Sequence, residues 1–345
     1  MTPVELSIII VNWNSKEYVR KCVASILANT FGVNYEIIVV DSGSFDGCGD
    51  LLSLAYPEIR FIQSQDNVGF ARANNLGAAQ AQGSFFLFLN PDTEVRPGAI
   101  EHVFRHASRL TDLGVAGCRL LNTDGSLQTS CVQSLPTILN QVLDADALRR
   151  WFPSARLFGT AALFVPGPGP REVEAISGAF MMIRRHVFER LGGFSVEYFM
   201  YGEDLDLCFK SRCHGFRNYY VAEAIVIHHG GGSTQRTLSK FSTVMMLESV
   251  HRLLRKFRGP RYGVSYRVAL SGAASIRLVL LGLLFPAWFA VGTANAWTSA
   301  CRKWCFVLRW GLTLERWTKR YGQPNPAPAP SNGRVETSCA GSAEN

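Results

Sequence analysis

Three stretches of this chain carry side chains whose types and spacing could do chemistry. In Gly83–Glu94, GSFFLFLNPDTE, the apolar run Phe85–Leu89 gives way at once to Asn90-Pro91-Asp92. Pro91 cannot continue a hydrogen-bonded ladder, so Asp92 leaves a strand at its carboxyl end, where open α/β sheets bind ligands. A hard divalent cation carrying a diphosphate needs such a carboxylate. In Tyr201–Cys208, YGEDLDLC, the acids Glu203, Asp204 and Asp206 sit beside apolar Phe199, Met200 and Leu205. Desolvation there can raise a carboxylate pKa toward general-base use. The third stretch, His228-His229-Gly230-Gly231-Gly232-Ser233-Thr234, puts a histidine at a strand end before three glycines, which suits a metal or phosphate site. Each has a plain alternative: a strand-ending turn, an acid-rich helix start, a surface histidine.

The elements that must position these residues follow from apolar periodicity. Phe85–Leu89 has no helical spacing and reads as a central strand buried on both faces. Leu6–Val11 is a β-branched strand ending in Asn12-Trp13-Asn14. Ser15 then offers an N-cap, and Val19, Cys22, Val23, Ile26 and Leu27 form one apolar helix stripe. Tyr35–Val40 is the next strand, completing a βαβ unit and delivering Asp41 into the turn DSGSFDG, where it can accept hydrogen bonds from a nucleobase or ribose. A turn-capping role for Asp41 stays equally open. A strand at Arg60–Gln63 leads to DNVGFARANN. Gly69 there lets backbone approach a ligand, the helix start offers N–H groups to phosphate, and Asn67, Arg72 and Asn74 supply polar groups on the first turns. Further on, the pattern predicts a helix from Pro97 to about Leu110, a strand at Val115–Leu121, a turn at Asn122–Gly125, a strand from Ile176 to Arg185, and another at Val221–Ile227. Residues 128–171, with PGPGP at 166–170, read as a variable loop or lid.

Composition narrows the classes. The chain has 345 residues, 47% hydrophobic and 18% charged, enough for one large α/β domain with an appendage. Its nine cysteines show no CxxC pair and no zinc spacing, which suits a reducing compartment. The start, MTPVELSIIIVNW, lacks a charged n-region and cleavage site, so no signal peptide and a cytoplasmic core are expected. No GxGxxG follows the first strand, which weakens a dinucleotide oxidoreductase, and no nucleic-acid motif accompanies the net charge of +8.

These residues resemble a known family: the inverting GT-A glycosyltransferases of family 2, within them the bacterial rhamnosyltransferase-like branch. The resemblance covers about Val4–Arg236 and rests on SIIIVNWN, VVDSGSFDG, DNVGFARANN, FLNPDTE, SGAFMMIRR, GGF, YGEDLDLC and HHGGGS in that order. It implies a Rossmann-like, mainly parallel mixed sheet with helices on both faces. It implies that Asn12, Asp41 and Asn67 line the nucleotide pocket; Gly69, Arg72, Asn74 and Asn90 join them as donor-binding candidates on their own residue types and positions. Asp92 of the DxD-like motif, and His228, would hold a divalent metal, Mg2+ or Mn2+, on the diphosphate. Asp204 of the ED motif would be the catalytic base. Glu203 and Asp206 beside it are expected to orient the loop and bind acceptor hydroxyls rather than to transfer the proton. Two positions depart from the pattern: Asn90 opens the DxD position, and Ser195 stands where GGFDE has an acid. The branch points to dTDP-L-rhamnose as donor and a saccharide or lipid-linked acceptor in surface polysaccharide synthesis. UDP- or GDP-hexose transfer is the alternative within the family. A nucleotidyltransferase would need a Gly-rich basic loop where this chain has VNWNSKEY, and a non-catalytic scaffold would be expected to lose Asp92 or Asp204.

The C-terminal part differs in kind. From Arg252 to Arg320 thirteen basic residues accompany one acid, Glu315, so the rest of the chain is net acidic and an anionic membrane surface is the expected partner. Phe241, Val244, Met245, Val250, Leu253, Leu254 and Phe257 form a stripe that could lie on a membrane. Leu278–Cys301 is uncharged but broken by Gly282 and Pro286, the pattern of an interfacial or re-entrant segment. The organisation expected is a catalytic domain at 1–236, a basic helical membrane-associating region at 237–321 and a disordered tail at 322–345, at the cytoplasmic face of the inner membrane, with a homo-oligomer left open.

Overall fold

The computed structural model describes residues 3–143, 151–152, 155, 157, 169–230, 240–285 and 294–321. The glycines and serine at 231–233, most of PGPGP, the middle of the uncharged run and the tail fall outside them. The chain divides into two compact units. One comprises 1–135, 145–195 and 203–236; the other comprises 136–144, 196–202 and 237–345.

The first unit is built on a nine-stranded sheet. Strands β1 (Leu6–Asn12), β2 (Tyr35–Ser42), β3 (Arg60–Ser64) and β4 (Phe85–Leu89) form one half in the order β3-β2-β1-β4, all parallel. β1 and β4 are buried along their whole length, as continuous apolar runs in the middle of a covered sheet should be. The crossovers are α1 (Lys16–Asn29), α2 (Cys48–Ala55) and α3 (Gly69–Gln80), with β5 (Thr93–Val95) and α4 (Ala99–Arg109) following β4. β6 is Leu113–Leu121, and Val132–Gln133 (β7) pairs with Ala175–Ile176 (β9) in a separate ribbon. β10 (Phe180–Arg184) is antiparallel to both β4 and β6, so β6 points the same way as β4. β11 (Arg217–His228) runs parallel to β6 and carries antiparallel β5 and β8 (Pro170–Val173).

The sheet is therefore mixed and mainly parallel, as expected, with two differences. The predicted strand from Ile176 to Arg185 is broken at Ser177-Gly178-Ala179, because β9 belongs to the small ribbon and β10 to the main sheet. The stretch at 128–171 contributes β7 and the start of β8, so its described ends are part of the fold. Phe88, Phe188 and Phe194 interlock at ring separations of 4.7–5.5 Å, fixing the GGF corner and α5, here Arg185–Arg190, onto β4. A last helix, α6 (Glu203–Cys213), packs against β6, β9 and β11.

The second unit is helical. α7 (Lys240–Arg258), α8 (Pro260–Leu283) and α9 (Ala294–Gly311) pack around Val244, Val250, Leu254, Tyr266, Leu270 and Trp310, and the short helix α10, Ile138–Val142 in sequence, lies against α8. The apolar stripe on α7 is core: Val244, Met245, Val250, Leu253 and Leu254 are all buried, so it is not free to lie on a membrane. Glu315 is pinned by Lys240, Arg309 and Trp317. Burial opposes its charge, yet these hydrogen bonds hold its pKa down at about 2.

One glycine brings two ligand-side loops together. Gly43 has φ +69°, and a β-carbon there would run into the backbone of Asp66 and Asn67. Gly43→Ala should therefore lower stability by about 1–3 kcal/mol. The check is thermal denaturation, in which an unchanged Tm would show that the loops after β2 and β3 do not meet.

Candidate active site

The carboxyl ends of β1, β2 and β4 place Asn12, Asp41 and Asn90 on one edge of the sheet. Asn12 and Asp41 are register partners. Both are buried, and Asn12 Nδ2 donates to Asp41 Oδ2 at 2.6 Å. Asp41 also accepts from Ser44 N and Oγ at 2.7 and 2.6 Å and from Gln63 Nε2 at 2.9 Å. Four donors match the four lone-pair sites of a carboxylate. Burial works against the charge on Asp41, but those donors outweigh it and hold its pKa below the usual range. The turn-capping and ligand-side readings thus coexist: Ser44 and Asn12 fix the carboxylate, while Gln63, an exposed side chain, is the donor a ligand N–H or O–H could replace.

Sequence reasoning missed Asp46. It accepts from Asn12 Nδ2 at 3.1 Å, from Lys16 N at 2.9 Å and from Cys48 N at 3.1 Å, capping α1 and α2 together. Ser15 stands at the expected N-cap position but its side chain makes no cap bond; its hydroxyl donates to Asn12 Oδ1 at 2.9 Å. The signal was present as the second acid of DSGSFDG.

The DNVGFARANN segment opens α3. Asn67 Oδ1 accepts from Ser42 Oγ at 3.2 Å and from Gly69 N at 3.1 Å, and Val68 N donates to Ser42 Oγ at 3.1 Å. Gly69 takes φ +77°. Gly69 N, the first N–H of the helix, is thus already satisfied within the loop. Arg72 is half-buried on the first turn. Asn74 is buried and donates to Phe70 O at 3.0 Å, a bond within its own helix. The neighbour Asn75, unremarked in the sequence, exchanges two bonds with the Phe194 backbone at 2.8 and 3.0 Å and so ties α3 to the GGF corner.

Asp92 follows the turn after β4 and is 6% exposed. Strand β5 then pairs with the end of β11, setting Thr93 opposite His228. This register brings His228 Nε2 to 3.2 Å from Asp92 Oδ1 and 3.3 Å from Asn90 Nδ2. The imidazole is held from behind. Gln128 Nε2 donates to Asn122 Oδ1 at 3.2 Å, which turns Gln128 Oε1 to His228 Nδ1 at 2.7 Å. With Nδ1 protonated in that bond, Nε2 presents a lone pair beside the carboxylate, an orientation typical of a metal-binding histidine. Among the described residues no group of three His, Cys, Asp or Glu side chains could hold a metal. A carboxylate and an imidazole lone pair nonetheless fit a divalent cation whose other ligands come from a diphosphate and water. His229 points its ring nitrogens to Glu94 and Thr123, both at 2.9 Å.

Asp204 opens α6. Gly178 N donates to its Oδ2 at 2.9 Å, and Leu205 N to its Oδ1 at 2.8 Å. One residue on, Ala179 O accepts from Asn90 N at 3.1 Å. The same short segment therefore holds Asp204 and the turn that carries Asp92. Asp206 is fully buried, accepting from Ser195 Oγ at 2.5 Å with Lys210 Nζ at 3.5 Å, so it is spent inside the fold and is not placed to bind acceptor hydroxyls. Ser195, at the departing position, supplies that bond. Glu203 is buried, and its Oε2 has no hydrogen-bond partner among the described residues. Burial first, then the neighbouring Asp204, pushes its pKa well above the ordinary 4.5.

A raised folded-state pKa gives a contribution to stability that is fully present below the ordinary value and lost as pH rises toward the folded one. Glu203→Gln removes that dependence. Its stability relative to the parent should climb as pH is raised above 4.5, as urea denaturation at pH 5 and pH 8 can measure. Parallel pH profiles for the two proteins would mean that Glu203 is ionised in the fold.

A family model described as glycosyl transferase family 2 matches residues 7–192. Among relatives, the N-acetylglucosaminyl-diphospho-decaprenol L-rhamnosyltransferase of Mycobacterium tuberculosis (strain ATCC 25618 / H37Rv) is 30% identical over 245 residues, covering 67% of this chain and 78% of that protein. The rhamnosyltransferase WbbL of Escherichia coli (strain K12) is 25% identical, covering 72% and 92%. Among solved structures, the mannosyltransferase PcManGT from Pyrobaculum calidifontis, in complex with GDP-Man and Mn2+, has a TM-score of 0.55 at 15% identity, over 92% of this chain and 88% of that one. GalNAc-T7 with UDP, GalNAc and Mn2+ also has a TM-score of 0.55, at 16% identity over 74% of this chain. The chain spans about half of that protein, 48%. These two likenesses show a shared fold.

Proposed function

This chain belongs to glycosyl transferase family 2, and from that premise we propose that it transfers L-rhamnose from dTDP-L-rhamnose to a lipid-linked saccharide with inversion at the anomeric carbon. The observation that carries the mechanism is the coupling of Asp204 and the Asp92 turn through Gly178 and Ala179. Adjacent backbone groups thereby tie together Asp204, the proposed proton acceptor, and the turn that carries Asp92, the proposed diphosphate-side carboxylate. The rhamnosyl choice is supported by the names of the relatives, and the nucleotide by the branch that the sequence resembles.

Asp41, held ionised by its own loop, would receive N–H or O–H groups of the nucleoside. Asp92 and His228 would hold a divalent cation, Mg2+ or Mn2+, which supplies neutralisation of the charge on the diphosphate leaving group. The two structural neighbours contain Mn2+, which supports that reading. Asp204, oriented by two backbone N–H groups, would take the proton from the acceptor hydroxyl as that oxygen attacks the anomeric carbon from the face opposite the leaving diphosphate. Inversion follows from one in-line displacement. Glu203, whose pKa burial raises, would pack beside the base rather than act as a second base. A lipid-linked acceptor, as the name of the mycobacterial relative describes, would put catalysis at a membrane surface, which we read as the cytoplasmic face of the inner membrane.

Three variants separate the roles. Asp92→Ala should weaken metal-dependent donor binding and abolish turnover together. His228→Ala should behave in the same way. Asp204→Asn keeps shape but cannot accept the proton, so donor affinity should survive while transfer falls by roughly two to four orders of magnitude. Equal loss of donor binding in all three would move Asp204 to the metal shell. Calorimetry that detects UDP or GDP but no dTDP would replace the donor while leaving the mechanism standing.

A further inference from the structure

In the helical unit, α8 carries its polarity inside out. Its outward side holds Val264, Val268, Ile276, Val279, Leu280 and Leu283, each between 49% and 72% exposed. From Val264 to Phe285 no charged side chain stands on that exposed face among the described residues. The two arginines within this length are turned inward and engaged. Arg267 donates to Glu248 Oε2 at 3.1 Å and lies 4.5 Å over the Trp310 ring. Arg277 donates to Val142 O at 2.6 Å and lies 4.2 Å over Trp304. A helix normally buries its apolar stripe and exposes its charges, so an unpartnered stripe of this length marks a contact surface.

We propose that α8 lies flat in the membrane interface, with this stripe sunk into the acyl region of an anionic bilayer as a monotopic anchor. By length and composition α8 could cross a bilayer: its 24 residues span about 36 Å. The packing argues against crossing. α7, α9 and α10 cover its other side, where half-buried Arg267 and Arg277 bond Glu248 and Val142 O, and a spanning helix would carry those charges into hydrocarbon. Lying flat leaves them on the aqueous side. Charge favours an anionic surface. Exposed Arg255, Lys256, Arg258 and Arg261 flank the start of the stripe, and Arg302 stands on the neighbouring helix. The far end is prepared for low water activity, because Trp297 Nε1 satisfies the Leu281 carbonyl at 2.9 Å and its ring packs 4.9 Å from Phe285. Leu278–Cys301 is thus the end of one helix, a stretch outside the described residues and the start of another.

The inference rests on the membrane-side reading above for its setting and adds the face and its orientation. The test uses the full chain with two kinds of vesicle, phosphatidylcholine alone and phosphatidylcholine with phosphatidylglycerol. The parent should float with the anionic vesicles. The triple variant V268D/V279D/L283D should lose affinity on the order of a hundredfold or more, with Tm and donor binding unchanged. Flotation of the variant like the parent would overturn the inference while leaving membrane attachment intact. A parent that floats with neither vesicle overturns both, and donor calorimetry then still judges the enzymatic reading alone. A parent dimer that the variant splits would assign the stripe to self-association and overturn the proposal. Orientation is read separately, with a fluorophore on Val264→Cys, Val268→Cys, Val279→Cys or Leu283→Cys, in a chain whose Cys213, Cys301, Cys305 and Cys339 are Ser. Shallow and equal quenching by brominated lipids at all four positions supports a flat helix. Depth that rises to a maximum at mid-helix overturns it.

Discussion

Ser177-Gly178-Ala179 is the shortest route through the site, and most of the geometry depends on its backbone. Gly178 N–H fixes one oxygen of Asp204, and the Ala179 carbonyl, one peptide on, takes the N–H of Asn90. β9 ends at Ile176 and β10 begins at Phe180, so Gly178 N–H turns to Asp204 while the Ala179–Asn90 bond continues the β10–β4 register by one rung. Reversing the direction of β10 within an otherwise parallel neighbourhood brings its amino end to the carboxyl end of β4. That reversal makes a helix start at Asp204 and a strand end at Asn90 neighbours. A fully parallel sheet would place the start of that strand at the opposite edge.

The loops that follow β1 and β2 are organised by saturation. A buried carboxylate is stable only when its lone pairs are met, and Asp41 has four donors from three residues. Asp46 meets Asn12 and two helix starts in the same way. These bonds form a charged but rigid floor before any ligand arrives, so binding need not order it. The acid side is organised differently. One oxygen of Glu203 has no hydrogen-bond partner among the described residues and burial raises its pKa, while Asp206 is consumed by Ser195 and Lys210. Three acids in one helical turn are thereby given three environments, and Asp204 alone remains half exposed.

Much of this was legible because the signals were local. The apolar runs at Leu6–Val11, Tyr35–Val40 and Phe85–Leu89 are strands within a residue or two of their expected bounds, and the polar residues that end them stand on one edge. The failures share a cause: a pattern fixes periodicity but not partner. Ile176–Arg185 reads as one apolar strand, yet two sheets compete for it. The stripe on α7 has the spacing of a membrane helix and is in fact core, because α8 and α9 reach it first. Asn74 and Asn75 look interchangeable in ARANN, but a shift of one residue turns one amide into its own helix and sends the other to Phe194. β5 was too short to register. Only its pairing with β11 gives it meaning, since that register carries His228 to Asp92.

The helical unit shows why charge counts along a sequence mislead about surfaces. Thirteen basic residues in the C-terminal part suggest a uniformly cationic face, but position on each helix decides what they do. Arg267 and Arg277 use their guanidinium groups on Glu248, a backbone carbonyl and indole rings, and in doing so they free the opposite side of α8 from any charge. Inward arginines are costly unless each is hydrogen-bonded, and the structure provides those bonds from α7 and from the helix at Ile138–Val142. Such an arrangement is hard to account for by the stability of an isolated unit, since exchanging inside and outside would solvate the arginines and bury the aliphatics. It becomes favourable when the medium on the outer side is apolar, because the exposed aliphatic side chains then gain the transfer free energy that water withholds.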